Sequence, residues 1–174
     1  MTITDVALSS IAREALRSTD GLETGGILLG DDVSDGIGIR HGPGPKATRG
    51  ERSLMRDLDH VRYLADSAWL EDRSQWIGEW RTHPTGELSP SQVDLRSYMR
   101  HLNDPELGFD RFVAIIAGFD SPAQVVAATW LTERDRIWPV VPTRLPVAPA
   151  GRSPCANNAV SHAAFIAEEH KETP

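Results

Sequence analysis

Apolar side chains recur at three- and four-residue spacing in three stretches of the chain, which is the periodicity of a helix with one buried face. The first stretch runs from Leu8 to Leu16. The second starts at Ser53 and continues to Trp69, with charged side chains such as Arg56 between the apolar positions. The third is opened by Ser91 and carries apolar residues as far as Leu102. We therefore predict three amphipathic helices, of which the second has the clearest pattern.

Short apolar runs bounded by glycine, proline or polar turns predict the strands of a sheet. The run that ends at Ala117 is almost continuously apolar, as is typical of a central strand that is buried on both faces. The predicted strands are Gly25–Gly30, Ile37–Ile39, Trp76–Trp80, Arg111–Ala117, Gln124–Leu131 and Ile137–Val141, with the last at an edge. Helices and strands in this mixture predict a single α/β domain.

The chain has 174 residues, which is the size of one ordinary domain with a tail. We place the domain at residues 1–141 and a proline-rich linker and C-terminal tail at 142–174, with a short helix at 160–169. A domain of this length buries enough surface to fold without disulfides. Its one cysteine, Cys155, also excludes an intramolecular disulfide and a four-thiolate zinc site.

Charge and hydropathy narrow the classes of partner. The 18 Lys and Arg residues against 25 Asp and Glu residues give a net charge of −7, and no basic block interrupts that balance. We therefore expect no nucleic-acid partner. The longest apolar run, Phe112–Ala117, is far shorter than the roughly 20 residues that span a bilayer. The first residues lack the basic and apolar regions of a secretion signal, so the expected location is cytoplasmic, away from membranes.

Four polar side chains stand at the ends of predicted elements. Glu23 precedes the first strand, and His83, Ser91 and Asp94 lie between a strand and the following helix, a usual position for reactive groups in α/β folds. A histidine and a carboxylate there could share a zinc ion whose bound water a glutamate deprotonates. Taken singly, each residue also has a simpler explanation. Ser91 and Asp94 fit a helix capping box, His83 a loop, and Glu23 the surface.

The order of these residues resembles the JAB/MPN (JAMM) metalloprotease family. Seven residues separate His83 from Ser91 and two separate Ser91 from Asp94, as in that family. The likeness covers roughly residues 8–141. The segments that carry it are Glu23, Gly25–Gly30, Gly78-Glu79-Trp80, Thr82-His83-Pro84, Pro90-Ser91, Asp94, Phe112–Gly118 and Thr129-Trp130.

The resemblance implies an MPN/JAB-like, cytidine-deaminase-like α/β fold, in which helices flank a curved mixed β-sheet. It also implies a zinc ion held by two histidines and one aspartate, with water as the fourth ligand. Carried over residue by residue, His83 and Asp94 are zinc ligands, Glu23 is the general acid and base, and Ser91 stabilises the oxyanion. The implied reaction is hydrolysis of an amide or isopeptide bond at the C-terminus of a ubiquitin-like protein. Bacterial relatives with the same Gly-Glu-Trp context look like partners of E1/E2-type conjugation proteins.

The sequence departs from the family pattern at Arg81, which stands where the first zinc-binding histidine is expected. Alternate residues of a strand face the same side, so Arg81 and His83 are predicted to face the same pocket. A guanidinium has no lone pair for a metal and carries its own positive charge, so it repels Zn²⁺. Arg81 could instead form a bidentate pair with Glu23 or Asp94. Glu79 lies on the same strand face and could pull Arg81 aside.

The sequence therefore leaves two functions open. In the first, the chain is a zinc isopeptidase, with His60 or His101 replacing the missing ligand or Arg81 drawn away. In the second, it is a catalytically inactive MPN domain that serves as a binding or scaffold subunit, and Arg81 stands in for the metal cation. A metal-free triad is excluded because Ser91 and Asp94 share one helical turn and cannot flank a histidine.

Overall fold

The computed structural model describes residues 3–30, 37–39, 43–121 and 124–141. The predicted tail at 142–174, with its helix and Cys155, lies outside these residues. Within them the helices are α1 (Asp5–Arg17), α2 (Leu58–Asp72) and α3 (Gln92–Asn103). The strands are β1 (Gly25–Gly30), β2 (Ile37–Ile39), β3 (Thr48–Gly50), β4 (Ser53–Met55), β5 (Gln75–Thr82), β6 (Phe112–Ser121), β7 (Gln124–Thr132) and β8 (Ile137–Val140).

Six of these strands form one mixed sheet in the order β2-β1-β5-β6-β7-β8, and β3 pairs with β4 in a separate hairpin. β5 and β6 run parallel, and the other neighbours in the large sheet run antiparallel. This arrangement confirms the predicted α/β class, and among the described strands β8 lies at an edge as predicted. In the part of the chain that the structure describes, no helix has the length and apolar character needed to cross a bilayer.

The helices cover both faces of the sheet, and the alternation of side chains along β1 separates those faces. Leu28 belongs to the apolar cluster that α1 covers. Ile27 and Leu29 point to the opposite face and pack against α2. α3 covers that second face further along, where Tyr98 packs against Phe112. The second face, between α2 and α3, is also where the polar side chains of β5 lie.

The predicted second helix is wrong at its N-terminal end. Ser53–Met55 forms β4, and α2 begins only at Leu58. Asp57 ends the extended segment and caps the helix, because its side chain accepts a hydrogen bond from the backbone N–H of His60. Arg56 therefore lies between the hairpin and the helix. It is a largely buried side chain instead of the solvent-facing helical residue that the pattern predicts.

The backbones of β5 and β6 approach closely at Gly78. A Cβ atom at that position would lie 1.9 Å from the carbonyl oxygen of Val113, so no side chain larger than hydrogen fits. This close approach belongs to the parallel pairing of Gly78 with Val113, which begins the β5–β6 register. Because β5 carries the polar residues described below, the glycine fixes the position of the strand that supports them.

We expect Gly78→Ala to lower the free energy of unfolding by about 3 kcal/mol or more, because the added methyl group meets backbone that cannot rotate away. Chemical denaturation monitored by circular dichroism measures the change. Gly118→Ala on β6 is the matched control, since its Cβ would lie 3.1 Å from its nearest neighbours and needs only a small shift. Equal losses for the two variants would contradict this account of Gly78.

Candidate functional site

β5 brings two charged side chains to the face of the sheet between α2 and α3. Glu79 and Arg81 alternate with Trp80, which points to the α1 face and joins the apolar cluster there. The strand extends to Thr82, two residues past its predicted end at Trp80, so Arg81 is held in regular β structure. His83 follows directly, and its backbone N–H donates to the carbonyl of Ala117 at 2.8 Å.

Pairing between Thr24 and Thr82 places Glu23 beside the end of β5. The backbone N–H of Thr82 donates to the carbonyl of Thr24 at 2.7 Å. In return, the N–H of Thr24 donates to the Thr82 hydroxyl at 2.9 Å. These bonds extend the β1–β5 ladder by one step past Gly25, which pairs with Arg81. Glu23 is consequently a buried neighbour of Arg81 and not a surface acid.

The β3–β4 hairpin holds Glu23 from the other side. The backbone N–H of Glu23 donates to the carbonyl of Gly50 at 2.8 Å. The Nε of Arg49 donates to the Glu23 carbonyl at 2.9 Å. Arg49 is itself fixed by an ion pair with Asp20 at 2.9 Å. The sequence pattern missed this hairpin, so it also missed how Glu23 is positioned.

The N-terminus of α3 supplies Ser91 and Asp94. Ser91 is the N-cap, and Asp94 accepts hydrogen bonds from the Ser91 backbone N–H at 2.7 Å and from the Ser91 hydroxyl at 2.6 Å. The Asp94 N–H donates back to the Ser91 Oγ at 3.2 Å. The predicted capping box is therefore present. It also orients the buried Asp94 carboxylate toward β5, while Ser91 remains exposed.

The structure brings the four sequence-predicted site residues together around the guanidinium of Arg81. Its Nη1 contacts the Oδ1 of Asp94 and lies 3.6 Å from the Oε2 of Glu23. The other carboxylate oxygen of Asp94 is 3.3 Å from the Nε2 of His83. Ser91 joins through the capping box. All of these side chains except that of Ser91 are buried.

Glu79 completes the ion pairs of Arg81 without drawing it aside. The Nη2 of Arg81 donates to the Oε1 of Glu79 at 2.6 Å, while Nη1 remains with Glu23 and Asp94. The guanidinium therefore bridges three carboxylates, where the sequence predicts a bidentate pair with one of two. Arg56 contacts the second oxygen of Glu79. Sequence reasoning missed Arg56. The signal that could have found it is Asp57, because an N-cap at that position starts the helix after Arg56.

His83 has a hydrogen-bond acceptor at each ring nitrogen. Nδ1 lies 2.9 Å from the carbonyl oxygen of Glu87, and Nε2 faces Asp94. Since both partners only accept, the ring that satisfies them carries two protons. Burial alone would lower the pKa of His83, but the hydrogen bond with Asp94 and the charges of Asp94 and Glu23 outweigh it and raise that pKa. The serine, aspartate and histidine stand in the order Ser91–Asp94–His83, which is not that of a catalytic triad.

The pKa values of the two carboxylates that face the Nη1 of Arg81 are shifted in opposite directions. Burial disfavours the charged form of Asp94, but the hydrogen bond with His83 and the charge of Arg81 outweigh it and lower the pKa of Asp94 to about 2. Burial raises the pKa of Glu23, and the more distant charge of Arg81 does not cancel that effect. Asp94 is thus the firmly ionised partner of the guanidinium.

The two histidines considered as substitute ligands lie on helices, His60 on α2 and His101 on α3. His101 lies among aromatic rings, with its ring centroid 5.1 Å from that of Phe112. Burial lowers the pKa of His101. His60 lies in the first turn of α2, beside Gly44. Among the described residues, no group of three or more His, Cys, Asp or Glu side chains is arranged to hold a metal ion.

The donor set does not fit zinc. A catalytic zinc site needs three protein ligands with free lone pairs. Here the carboxylate oxygens of Glu23 and Asp94 are directed at the Arg81 Nη1, and Nε2 of His83 is directed at Asp94. A cation of the protein itself already lies between the groups that a metal would have to join, and its charge repels a second one.

Comparison with known protein families gives a match that extends over residues 5–141. A family model described as prokaryotic homologs of the JAB domain matches residues 5–141. Comparison with curated proteins gave no significant match.

Two solved structures share the fold at low sequence identity. The solution structure of a protein from Desulfitobacterium hafniense is 18% identical, with a TM-score of 0.58 over 80% of this chain and 88% of that one. A solution structure from Salinibacter ruber is 20% identical, with a TM-score of 0.54 over 87% of this chain and 95% of that one. The sheet and its flanking helices are therefore common to these proteins.

The depressed pKa of Asp94 predicts a stability contribution that depends on pH. The folded-state value of about 2 lies below the ordinary 3.8, so the contribution is complete above pH 3.8 and is lost as the pH falls toward 2. We expect the difference in unfolding free energy between the wild type and Asp94→Asn to shrink by about 2 kcal/mol over that window. Urea denaturation at a series of pH values measures it.

Asp66→Asn on α2 is the control, because it removes one carboxylate at an exposed position outside the Arg81 cluster. The contribution of Glu23 to stability has the opposite pH dependence. Its pKa is raised by burial, so protonation as the pH falls removes the cost of burying its charge. Glu23 is present in all of these chains, so its effect largely cancels in each difference. A pH-independent difference for Asp94→Asn would contradict the assignment.

Proposed function

The chain belongs to the family of prokaryotic homologs of the JAB domain, and from that premise we propose that it is a metal-independent binding domain and not a zinc peptidase. The observation that carries this proposal is the position of the Arg81 guanidinium. It contacts Asp94 and Glu79 directly and lies 3.6 Å from Glu23, inside a pocket where all four side chains are buried. The pocket obtains its positive charge from the polypeptide itself.

A buried carboxylate is tolerated when a partner of opposite charge is hydrogen-bonded to it. Arg81 forms an ion pair with Asp94, whose other oxygen accepts from Ser91, and Arg81 shares Glu79 with Arg56. Hydrolysis would require Glu23, His83 and Asp94 to be free. In this pocket they are instead engaged in contacts that hold the fold together. Glu23 faces a guanidinium, and His83 donates to Asp94. Such a site is suited to maintaining the shape of a domain and poorly suited to activating water.

The partner that we propose is a ubiquitin-like protein or a protein of an E1/E2-type conjugation system. The support is the family itself, in which the resemblance of the Gly78-Glu79-Trp80 segment points to conjugation systems. A JAB domain without chemistry retains the surfaces around its pocket, so recognition can outlast hydrolysis. The role is then that of a scaffold or binding subunit in such a system.

The zinc isopeptidase remains the second candidate, because one observation favours it. Glu23, His83 and Asp94 converge, and the Glu87 carbonyl takes the Nδ1 proton of His83, which leaves Nε2 to act as a ligand once its own proton is removed. The arrangement lacks one donor and contains one cation too many. Both faults lie at position 81, so one substitution tests both.

We expect Arg81→His to gain zinc. The substitution removes the guanidinium and adds an imidazole on the same strand face as His83. The variant purified without chelator should hold about one zinc per chain and bind zinc about 100-fold more tightly than the wild type, or better, since even indirect support of a ligand changes affinity by about 10- to 100-fold. Elemental analysis and competition with a chromogenic chelator measure both quantities.

Arg81→Met is the matched control, because it removes the same charge and offers no nitrogen donor. It should hold no more zinc than the wild type. One zinc per chain in the wild type would contradict the proposal and favour the enzyme. A zinc-free Arg81→His would instead show that the pocket differs from a metal site at more than this one residue.

A fusion of a ubiquitin-like protein to a reporter through an amide bond separates binding from hydrolysis. We expect the wild type to co-elute with the fusion in size-exclusion chromatography and to leave it uncleaved, even after zinc is added, because Arg81 occupies the pocket. Gel electrophoresis over a time course measures cleavage. Hydrolysis by the wild type would refute the binding-only function, and absence of co-elution would refute this class of partner.

A further inference from the structure

The carboxylate of Glu79 lies between two guanidinium groups. Its Oε1 accepts from the Nη2 of Arg81 at 2.6 Å, and its Oε2 contacts the Nη2 of Arg56. Glu79 is fully buried, and the side chain of Arg56 is only 9% exposed. One buried carboxylate therefore links a residue of the pocket to a residue on the segment between β4 and α2.

We infer that Arg56 is a positioning residue, which holds Glu79 as the fixed anchor from which Arg81 reaches Glu23 and Asp94. The inference rests on the proposed function and deepens it by naming what keeps the internal cation in place. It assigns different roles to the two arginines. Arg81 provides positive charge to the pocket. Arg56 neutralises Glu79, so Glu79 does not draw Arg81 away from Glu23 and Asp94.

The partners of the two arginines support this division. Arg81 is shared among three carboxylates. Arg56 forms its ion pair with Glu79, and its Nη1 has no hydrogen-bond partner among the residues that the structure describes. Within the described residues, Glu79 is thus the ion-pair partner of Arg56, and this pair leaves Arg81 available for Glu23 and Asp94.

The backbone on either side of Arg56 is fixed by neighbouring structure. On one side, β4 is paired with β3 in the hairpin. On the other side, the N–H of Asp57 donates to the carbonyl of Pro43 at 3.1 Å, and the Asp57 side chain caps α2. Arg56 therefore extends from a rigid corner of the fold. A side chain supported in this way can hold Glu79 still, whereas Glu79 and Arg81 alone, both on β5, could turn together.

The distribution of charge shows what Arg56 prevents. Three buried carboxylates and two guanidinium groups meet in this cluster. Without Arg56, one guanidinium would have to satisfy Glu23, Glu79 and Asp94. The geometry with Glu79 is already a direct hydrogen bond, so Arg81 would stay with Glu79, and Glu23, at 3.6 Å, would lose its partner first.

A double-mutant cycle tests the inference through its non-additivity. Arg56→Met should lower the thermal unfolding midpoint by about 5 °C, since Glu79 keeps Arg81. Arg81→Met should lower it by more, since Asp94 and Glu23 also lose their cation. The double variant should lose about 10 °C more than the sum of the two, because Glu79 then becomes a buried charge without a partner. Adding Glu79→Gln to the double variant should restore most of that excess, as it removes the charge.

If the double variant does not fold, Arg56→Met with and without Glu79→Gln gives the same comparison. Glu79→Gln should lower the midpoint in the wild type and raise it, or leave it unchanged, in the Arg56→Met chain. Additive losses and no rescue by Glu79→Gln would overturn the inference and leave Arg56 as an ordinary packing residue.

A second measurement reports position and not stability. The guanidinium ¹⁵N resonances of Arg81 should shift in Arg56→Met, because the anchor moves. They should not shift in the control Arg136→Met, which removes a distant exposed arginine paired with Glu133. Unchanged Arg81 resonances in Arg56→Met would overturn the positioning role.

All of these measurements are made in buffer with a chelator. Their outcome is therefore independent of whether the wild type can hold zinc or bind a ubiquitin-like protein. Zinc bound to the wild type would contradict the proposed function, but the coupling between Arg56 and Arg81 could still be measured. Additive losses of the unfolding midpoint in the double-mutant cycle would contradict the role of Arg56 and would not affect the proposed function.

Discussion

Three carboxylates buried in one place are the constraint on which the rest of the site depends. An ionised group in a protein interior is costly unless a charge of opposite sign is hydrogen-bonded to it, and removal of one partner from such a pair typically costs about 3–5 kcal/mol. Glu79 meets that condition through Arg56 and Arg81. Asp94 forms an ion pair with Arg81 and accepts hydrogen bonds from Ser91, and Glu23 lies 3.6 Å from the same guanidinium. One negative charge remains, and the raised pKa of the neighbouring His83 allows a proton to balance it. The hairpin, β5 and the start of α3 are held to one another by these ion pairs as well as by their apolar contacts.

Arginine suits position 81 because of its shape as much as its charge. The guanidinium is planar and presents donors in fixed directions, so its Nη1 and Nη2 can serve different carboxylates at once. Here Nη1 faces Asp94 and Glu23, while Nη2 faces Glu79. A lysine would bring one point charge, and a neutral residue would leave Asp94 ionised without a cation. The chemistry of the pocket is consequently decided by which cation occupies it.

The sequence predicted those elements whose apolar pattern is long and regular. α1 and α3 were found because their apolar side chains recur on one face over the full helix. β1 was found as an apolar run between glycines, and it is buried along its whole length. The β3–β4 hairpin was missed because its strands are short, and neither forms an apolar run between turn residues. Because the hairpin was not predicted, Ser53–Met55 was assigned to the second helix.

The site was predicted less evenly than the fold. Glu23, His83, Ser91 and Asp94 were identified by resemblance, and the structure brings them together; the catalytic and metal-binding roles assigned to them stay predictions. Arg56 was not identified at all, because its partner Glu79 is distant in sequence and a charged residue between apolar ones usually faces water. Spacing along a chain reports which side chains share a face, but ion pairs between separate elements leave no periodic trace.

The structural and functional explanations of Ser91 and Asp94 are not alternatives. The same hydrogen bonds that cap α3 also aim the Asp94 carboxylate into the pocket. Selection for a stable helix start would therefore retain these hydrogen bonds whether or not the site is catalytic. It follows that the presence of these two residues says little about activity. Position 81 is informative because no need of the local backbone calls for an arginine there, and its side chain has a role only in relation to the carboxylates around it.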